Sequence, residues 1–178
     1  MILLVLGCIL FLVSHLVSFA RVAIDARVGH NGYVGLITLG SILSIMMIVF
    51  GYRQMEASLL WAPMASSYQL TLYLMPIAAI LLVAGNMPCN ISRIVPHSML
   101  TGIILWAALH LVSNGDVAST IIFATFGGYA IYRRFTLAPK VMVQKPVYMD
   151  ALAVLIGLAV YAGMLRFHET LSGVPIAY

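Results

Sequence analysis

The sequence predicts an all-α protein, a polytopic membrane helix bundle of about six transmembrane helices forming one domain over residues 1–178. Three observations predict it. Hydrophobic residues make up 63% of the chain and charged residues 8%, whereas water-soluble chains carry about a quarter charged residues. Several apolar runs approach the ~20 residues that cross a bilayer core. Short clusters of proline, glycine, asparagine and charge separate those runs, and such clusters mark turns. The net charge of +4 is therefore not the footprint of a nucleic-acid partner. It belongs to basic loops that orient the chain in its first partner, the lipid bilayer.

The first helix is predicted over residues 2–20. It lacks the basic start of a signal peptide, and no clear cleavage site precedes Arg21, so it reads as a retained helix. Arg21, Asp25 and Arg27 form a polar linker ending in the turn signal His30-Asn31-Gly32. The second helix covers about 33–51. The loop over 52–68 holds Arg53, Glu56, Trp61 and Pro63, an apolar and aromatic mix that suits the membrane interface. The third helix, about 69–87, contains Pro76, where a kink is expected. Pro88-Cys89-Asn90 ends it. The fourth helix, about 98–113, stops at Asn114-Gly115-Asp116. The fifth, about 117–132, carries Gly127-Gly128, which permits close helix packing. The sixth covers about 150–165, and Arg166, His168 and Glu169 fall in the tail.

Six helices put both termini on one side. The loops between helices one and two, three and four, and five and six hold Arg21, Arg27, Arg93, Arg133, Arg134, Lys140 and Lys145; the other side holds Arg53 and Arg166. Basic loops stay cytoplasmic, so both termini are expected outside the cytoplasm, in a bacterial inner membrane. Cys8 and Cys89 fall toward opposite faces in this topology, too far for a disulfide.

Chemistry concentrates in residues 93–116. His97 stands at the entrance of the fourth helix and His110 near its exit. Gly102, Trp106 and His110 recur every four residues and share one face. A small residue, a flat ring and a metal-ligating ring in one stripe point to a surface that accepts a flat partner. His15 lies inside the first helix beside Ser14, with Phe11 and Phe19 a turn to either side. For His15 and His110 two uses stand open: a hydrogen bond between helices, or axial ligation of a haem. No C-x-x-C-H attachment motif exists, so any haem is the non-covalent b type. His97 follows Pro96 and also reads as a solvated helix-start residue; His30 and His168 read as solvent-facing. Arg93 suits a lipid phosphate or a haem propionate. Asn114 and Asp116 read as caps. Walker A, dinucleotide-binding, zinc-protease and serine-hydrolase motifs are absent from the sequence. All five acidic residues fall in loops or at helix ends, which argues against a proton-coupled transporter.

The run His97, Gly102, Leu105-Trp106-Ala107, His110-Leu111 and Asn114-Gly115-Asp116 resembles the signature of the NnrU family, which includes the plant 15-cis-zeta-carotene isomerases. His15-Leu16 in the first helix, Gly32-Tyr33 and Gly51-Tyr52-Arg53 extend the likeness over essentially the whole chain. Pro96 and Ser98 flank His97 where the family usually has arginine and proline, and Ala107 stands where the plant isomerases have cysteine. The resemblance implies a membrane protein of nitrite and nitric oxide metabolism or a haem b isomerase, with His15 and His110 as axial metal ligands. Depth in the predicted topology sets a constraint. At ~1.5 Å per residue, His15 and His110 differ by roughly 15 Å along the membrane normal unless tilt or extension closes the gap. His15 and His97 match better in depth. His97 and His110 lie about 220° apart around one helix and do not share an iron.

Three functional expectations follow. The first is a haem b protein, accessory to denitrification and meeting a membrane redox protein. The second is a haem-dependent cis-trans isomerase of an apolar polyene. The third is a cofactor-free structural partner.

Overall fold

The computed structural model describes residues 1–56, 58–138 and 143–176, with the side chains of Ser18 and Phe19 set aside. Phe19 and Lys140, both used above, thus lie outside the described side chains. The described residues form α-helices with no strand. The helices are α1 (Ile2–Leu16), α2 (Arg21–Arg53), α3 (Ala65–Ala84), α4 (Ile91–Ile94), α5 (Ser98–Ser113), α6 (Val117–Thr136) and α7 (Val147–Ser172), with a 3-10 turn at Val17–Ala20. By length and composition α2, α3 and α7 can cross a membrane; α1 and α5 are apolar but shorter. All six expected helices are present, and α4 is an extra single turn. The fold is the all-α membrane bundle that composition predicts.

Two compact units divide the chain, Met1–Ser58 and Leu59–Tyr178. In the first, α1 and α2 pack as an antiparallel pair. Glycines set their closeness: a Cβ on Gly51 would stand 2.5 Å from the Leu4 nitrogen, and one on Gly7 would stand 2.9 Å from Ile48. Further along, a Cβ on Gly40 would stand 3.0 Å from the Ser14 Cβ. The turn expected at residues 30–32 falls instead at Gly29, the one non-helical residue inside α2 (φ 73°, ψ 165°). Only glycine adopts that backbone readily. The charged linker before it is helical because charge does not oppose a helix: Arg21 Nε donates to Asp25 Oδ2 at 3.4 Å, a one-turn pair.

In the second unit α3 is central, with α7 on one side and α5 on the other; α6 packs on α5. Each neighbouring pair runs antiparallel, and small residues again mark the seams. A Cβ on Gly157 of α7 would stand 2.6 Å from the Ile80 Cα. α3 continues through Pro76. Proline has no N–H, so the Leu72 carbonyl one turn back loses its helical donor. Tyr161 of α7 supplies a replacement, its hydroxyl donating to that carbonyl at 2.9 Å. At the other seam the Thr71 hydroxyl donates to the Leu109 carbonyl at 3.1 Å and shares a short hydrogen bond with Ser113.

A polar knot closes one end of this unit. Asn90 Nδ2 donates to Asp150 Oδ2 and to the Lys145 carbonyl, both at 2.7 Å. The Lys145 amide donates to Asn90 Oδ1 at 2.8 Å, and the Ile91 amide to Asp150 Oδ1 at 2.9 Å. Asp150 thereby caps α4 from the first turn of α7. The same end holds buried Ser92, whose hydroxyl bonds the Ala84 carbonyl and, at 2.8 Å, Ser98. Both cysteines are buried.

Candidate functional site around His110

α5 begins after Pro96 and ends where Asn114 turns extended (φ −118°, ψ 127°). Proline blocks helix continuation on its N-terminal side. These two signals place His110 in the last turn. Its Nδ1 lies 2.9 Å from the Trp106 carbonyl. A carbonyl only accepts, so Nδ1 carries the hydrogen, and Nε2 of the neutral ring holds the lone pair. The ring stacks on Phe123 of α6, centroids 4.3 Å apart at 24°. Trp106 meets Phe123 edge-on at 4.9 Å and Phe126 at 5.9 Å. Trp106, with its centroid 5.1 Å from the imidazole, and Phe123 thus flank His110, and Phe126 backs the indole.

α6 is aimed by its own start. Asp116 Oδ1 accepts from the Ser119 amide at 2.8 Å, satisfying one of the helix's unpaired donors. Asp116 is the cap that the sequence predicts. Replacing it with alanine is expected to lower stability by about 0.5–2 kcal/mol, read by thermal denaturation in detergent, while Asp116→Asn retains most of it. Deeper along the α5–α6 seam, a Cβ on Gly127 would stand 3.0 Å from the Ala107 Cβ.

His15 repeats this arrangement on α1. Its Nδ1 lies 2.9 Å from the Phe11 carbonyl, and its ring packs on Phe11 with centroids 4.1 Å apart. Buried Ser14 donates to the same carbonyl at 2.9 Å. Both histidines therefore bond the carbonyl four residues back, lie against the aromatic ring there, and turn Nε2 into the acceptor nitrogen. Metal-bound histidines commonly have their other nitrogen held in this way.

The remaining candidates divide. Gly102 faces α3, where a Cβ would stand 2.8 Å from the Ala78 carbonyl oxygen and 2.9 Å from the Leu82 nitrogen. Trp106 and His110 face α6. The expected stripe separates because each four-residue step overshoots a helical turn by about 40°. His97 adopts the left-handed region (φ 56°, ψ 41°), uncommon for a residue with a Cβ. Its Nε2 is buried without a hydrogen-bond partner. Arg93 is exposed on α4. His97 and Arg93 both lie at the opposite end of α5 from His110. His30 is exposed, 3.9 Å from Asp25 Oδ2. His168, expected in a tail, lies in α7 with Nδ1 3.0 Å from the Val174 carbonyl. Among the described residues no three metal-ligating side chains cluster. Phe123 was missed by sequence reasoning, because only tertiary packing brings it to His110.

Compared with curated proteins and with solved structures, the chain finds no significant match. A family model described as NnrU protein matches residues 3–176, nearly the whole chain. With that match and an apolar helical bundle behind it, the chain belongs to the NnrU family.

Proposed function

We propose that this chain is a membrane haem protein of nitrogen-oxide and redox metabolism, accessory to denitrification, with His15 and His110 each a candidate axial ligand of haem b. The matched geometry of the two imidazoles carries the reading. In each, Nδ1 is committed to a backbone carbonyl at 2.9 Å, which leaves Nε2 the nitrogen suited to iron. Bound haem supplies a one-electron couple whose potential follows its axial ligands and their hydrogen bonds. The chain's own residues hold the imidazole planes and surround them with rings. Phe123 stacks on the His110 ring and limits its swing, and Trp106 lies against the same ring. The redox reading stands ahead of polyene isomerisation because Ala107, 2% exposed, offers a packed methyl where the plant isomerases have a thiol. Arg93 fits a lipid phosphate better than a propionate of haem on His110, given its place beyond the far end of α5. The basic-loop bias supports an inner-membrane orientation with both termini outside the cytoplasm.

The test is an absorption spectrum. Protein purified in mild detergent from haem-supplemented cells is expected to show a near-stoichiometric six-coordinate b-type spectrum, oxidised and reduced. Colourless protein from cells with ample haem would overturn the reading and leave the histidines as links between helices.

A further inference from the structure

The Asn114-Gly115-Asp116 turn does more than end one helix and cap the next. The Gly115 carbonyl accepts from the Leu60 amide at 2.6 Å and from the Trp61 amide at 3.2 Å. A Cβ on Gly115 would overlap the Trp61 carbonyl oxygen and stand 3.2 Å from Pro63 Cδ. The turn thus clamps the loop that leads into α3, and only a residue without a side chain leaves room for it. The clamped loop turns its apolar side chains outward: Leu59 is 69% exposed, Leu60 57%, Trp61 40% and Met64 74%. Between Glu56 and Asp116 as the flanking acids, residues 57–67 carry no charge.

We propose that residues 59–64 form a wedge that inserts into the headgroup–acyl boundary of a phospholipid monolayer, held at that depth by Gly115. Two observations select lipid as the occupant. The loop is continuous with a membrane-crossing helix, since α3 starts at Ala65, and it is bonded to the turn joining α5 and α6. Its backbone is also prepared for a low-dielectric layer. Unsatisfied amides are costly there, but those of Leu60 and Trp61 are bonded and Pro63 has none. An indole with one apolar side and one N–H donor suits this layer.

The experiment uses the full chain in phosphatidylcholine vesicles, with a nitroxide attached at Leu60→Cys. Cys8 and Cys89 are buried and compete little for the label. A label at Gln144→Cys, exposed beside Lys145 just before α7, is the aqueous reference. Collision with a water-soluble nickel chelate is expected to be several-fold lower at 60 than at 144, and collision with oxygen higher. Adding Gly115→Ala is expected to move the Leu60 label toward the aqueous reference. Equal chelate access at both sites overturns the proposal. A label at 60 shielded from chelate and oxygen alike also overturns it, because a protein surface would then cover the loop. Should Gly115→Ala not fold, the comparison of labels at 60 and 144 decides alone.

Discussion

His110→Ala is expected to abolish the six-coordinate haem spectrum and to lower haem retention at least ~10-fold, the scale on which even outer partners of a metal ligand act. Alanine removes the Nε2 donor together with the ring that stacks on Phe123. The lost aromatic pairing accounts for only about 0.5–1.5 kcal/mol, so a folded but spectrally altered protein is the expected product. Circular dichroism on the same sample separates the two effects. His15→Ala is expected to behave alike, because its imidazole is held in the same way. His97→Ala provides the contrast: its side chain lies at the other end of α5, and the spectrum is expected to survive. Normal spectra from both His15→Ala and His110→Ala would end the ligand assignment even if haem is bound.

Gly102→Val is expected to act on stability rather than on the spectrum. A Cβ there meets backbone atoms of α3, at 2.8 Å from the Ala78 carbonyl oxygen and 2.9 Å from the Leu82 nitrogen. Backbone cannot rotate away as a side chain can, so α3 and α5 must separate. Overpacking of this kind typically costs 1–3 kcal/mol, occasionally more. Detergent denaturation followed by circular dichroism is expected to show that loss, while the fraction still folded keeps the wild-type spectrum. A valine variant of full stability with altered haem absorption would return Gly102 to the ligand surface that its sequence spacing implies.

These two variants also mark where sequence reading ends. The bounds of α5, Ser98–Ser113, were legible because Pro96 and Asn114-Gly115-Asp116 are local signals with local causes. The end of α7 has a local signal too: Gly173 takes a left-handed backbone (φ 75°) one residue past Ser172, the common way a helix stops. α2 starts earlier than its sequence suggests, because charged residues resemble a linker while a one-turn Arg21–Asp25 pair is equally compatible with helix. α4 gave no local signal, since the carboxylate that caps it belongs to Asp150. The candidate site was half legible. His15, Trp106 and His110 stand out as residues that hydrocarbon does not favour without partners. Phe123 is one apolar residue among many until α6 is folded against α5.

The polar knot has a consequence for the order of synthesis. Asn90 finds its partners 55 and 60 residues later in the chain. At ribosomal speeds of about 5–20 residues per second, Asp150 is made roughly 3–12 s after Asn90. During that interval the first turn of α4 has no carboxylate to receive its Ile91 amide. α3 and α5 can already pair, and Ser92 can tie the loop between them to both, yet Asn90 and the Ile91 amide lack their partners until α7 is made. The last helix therefore acts as a latch on an earlier hairpin, and a nascent chain stalled before residue 150 should expose that loop to protease.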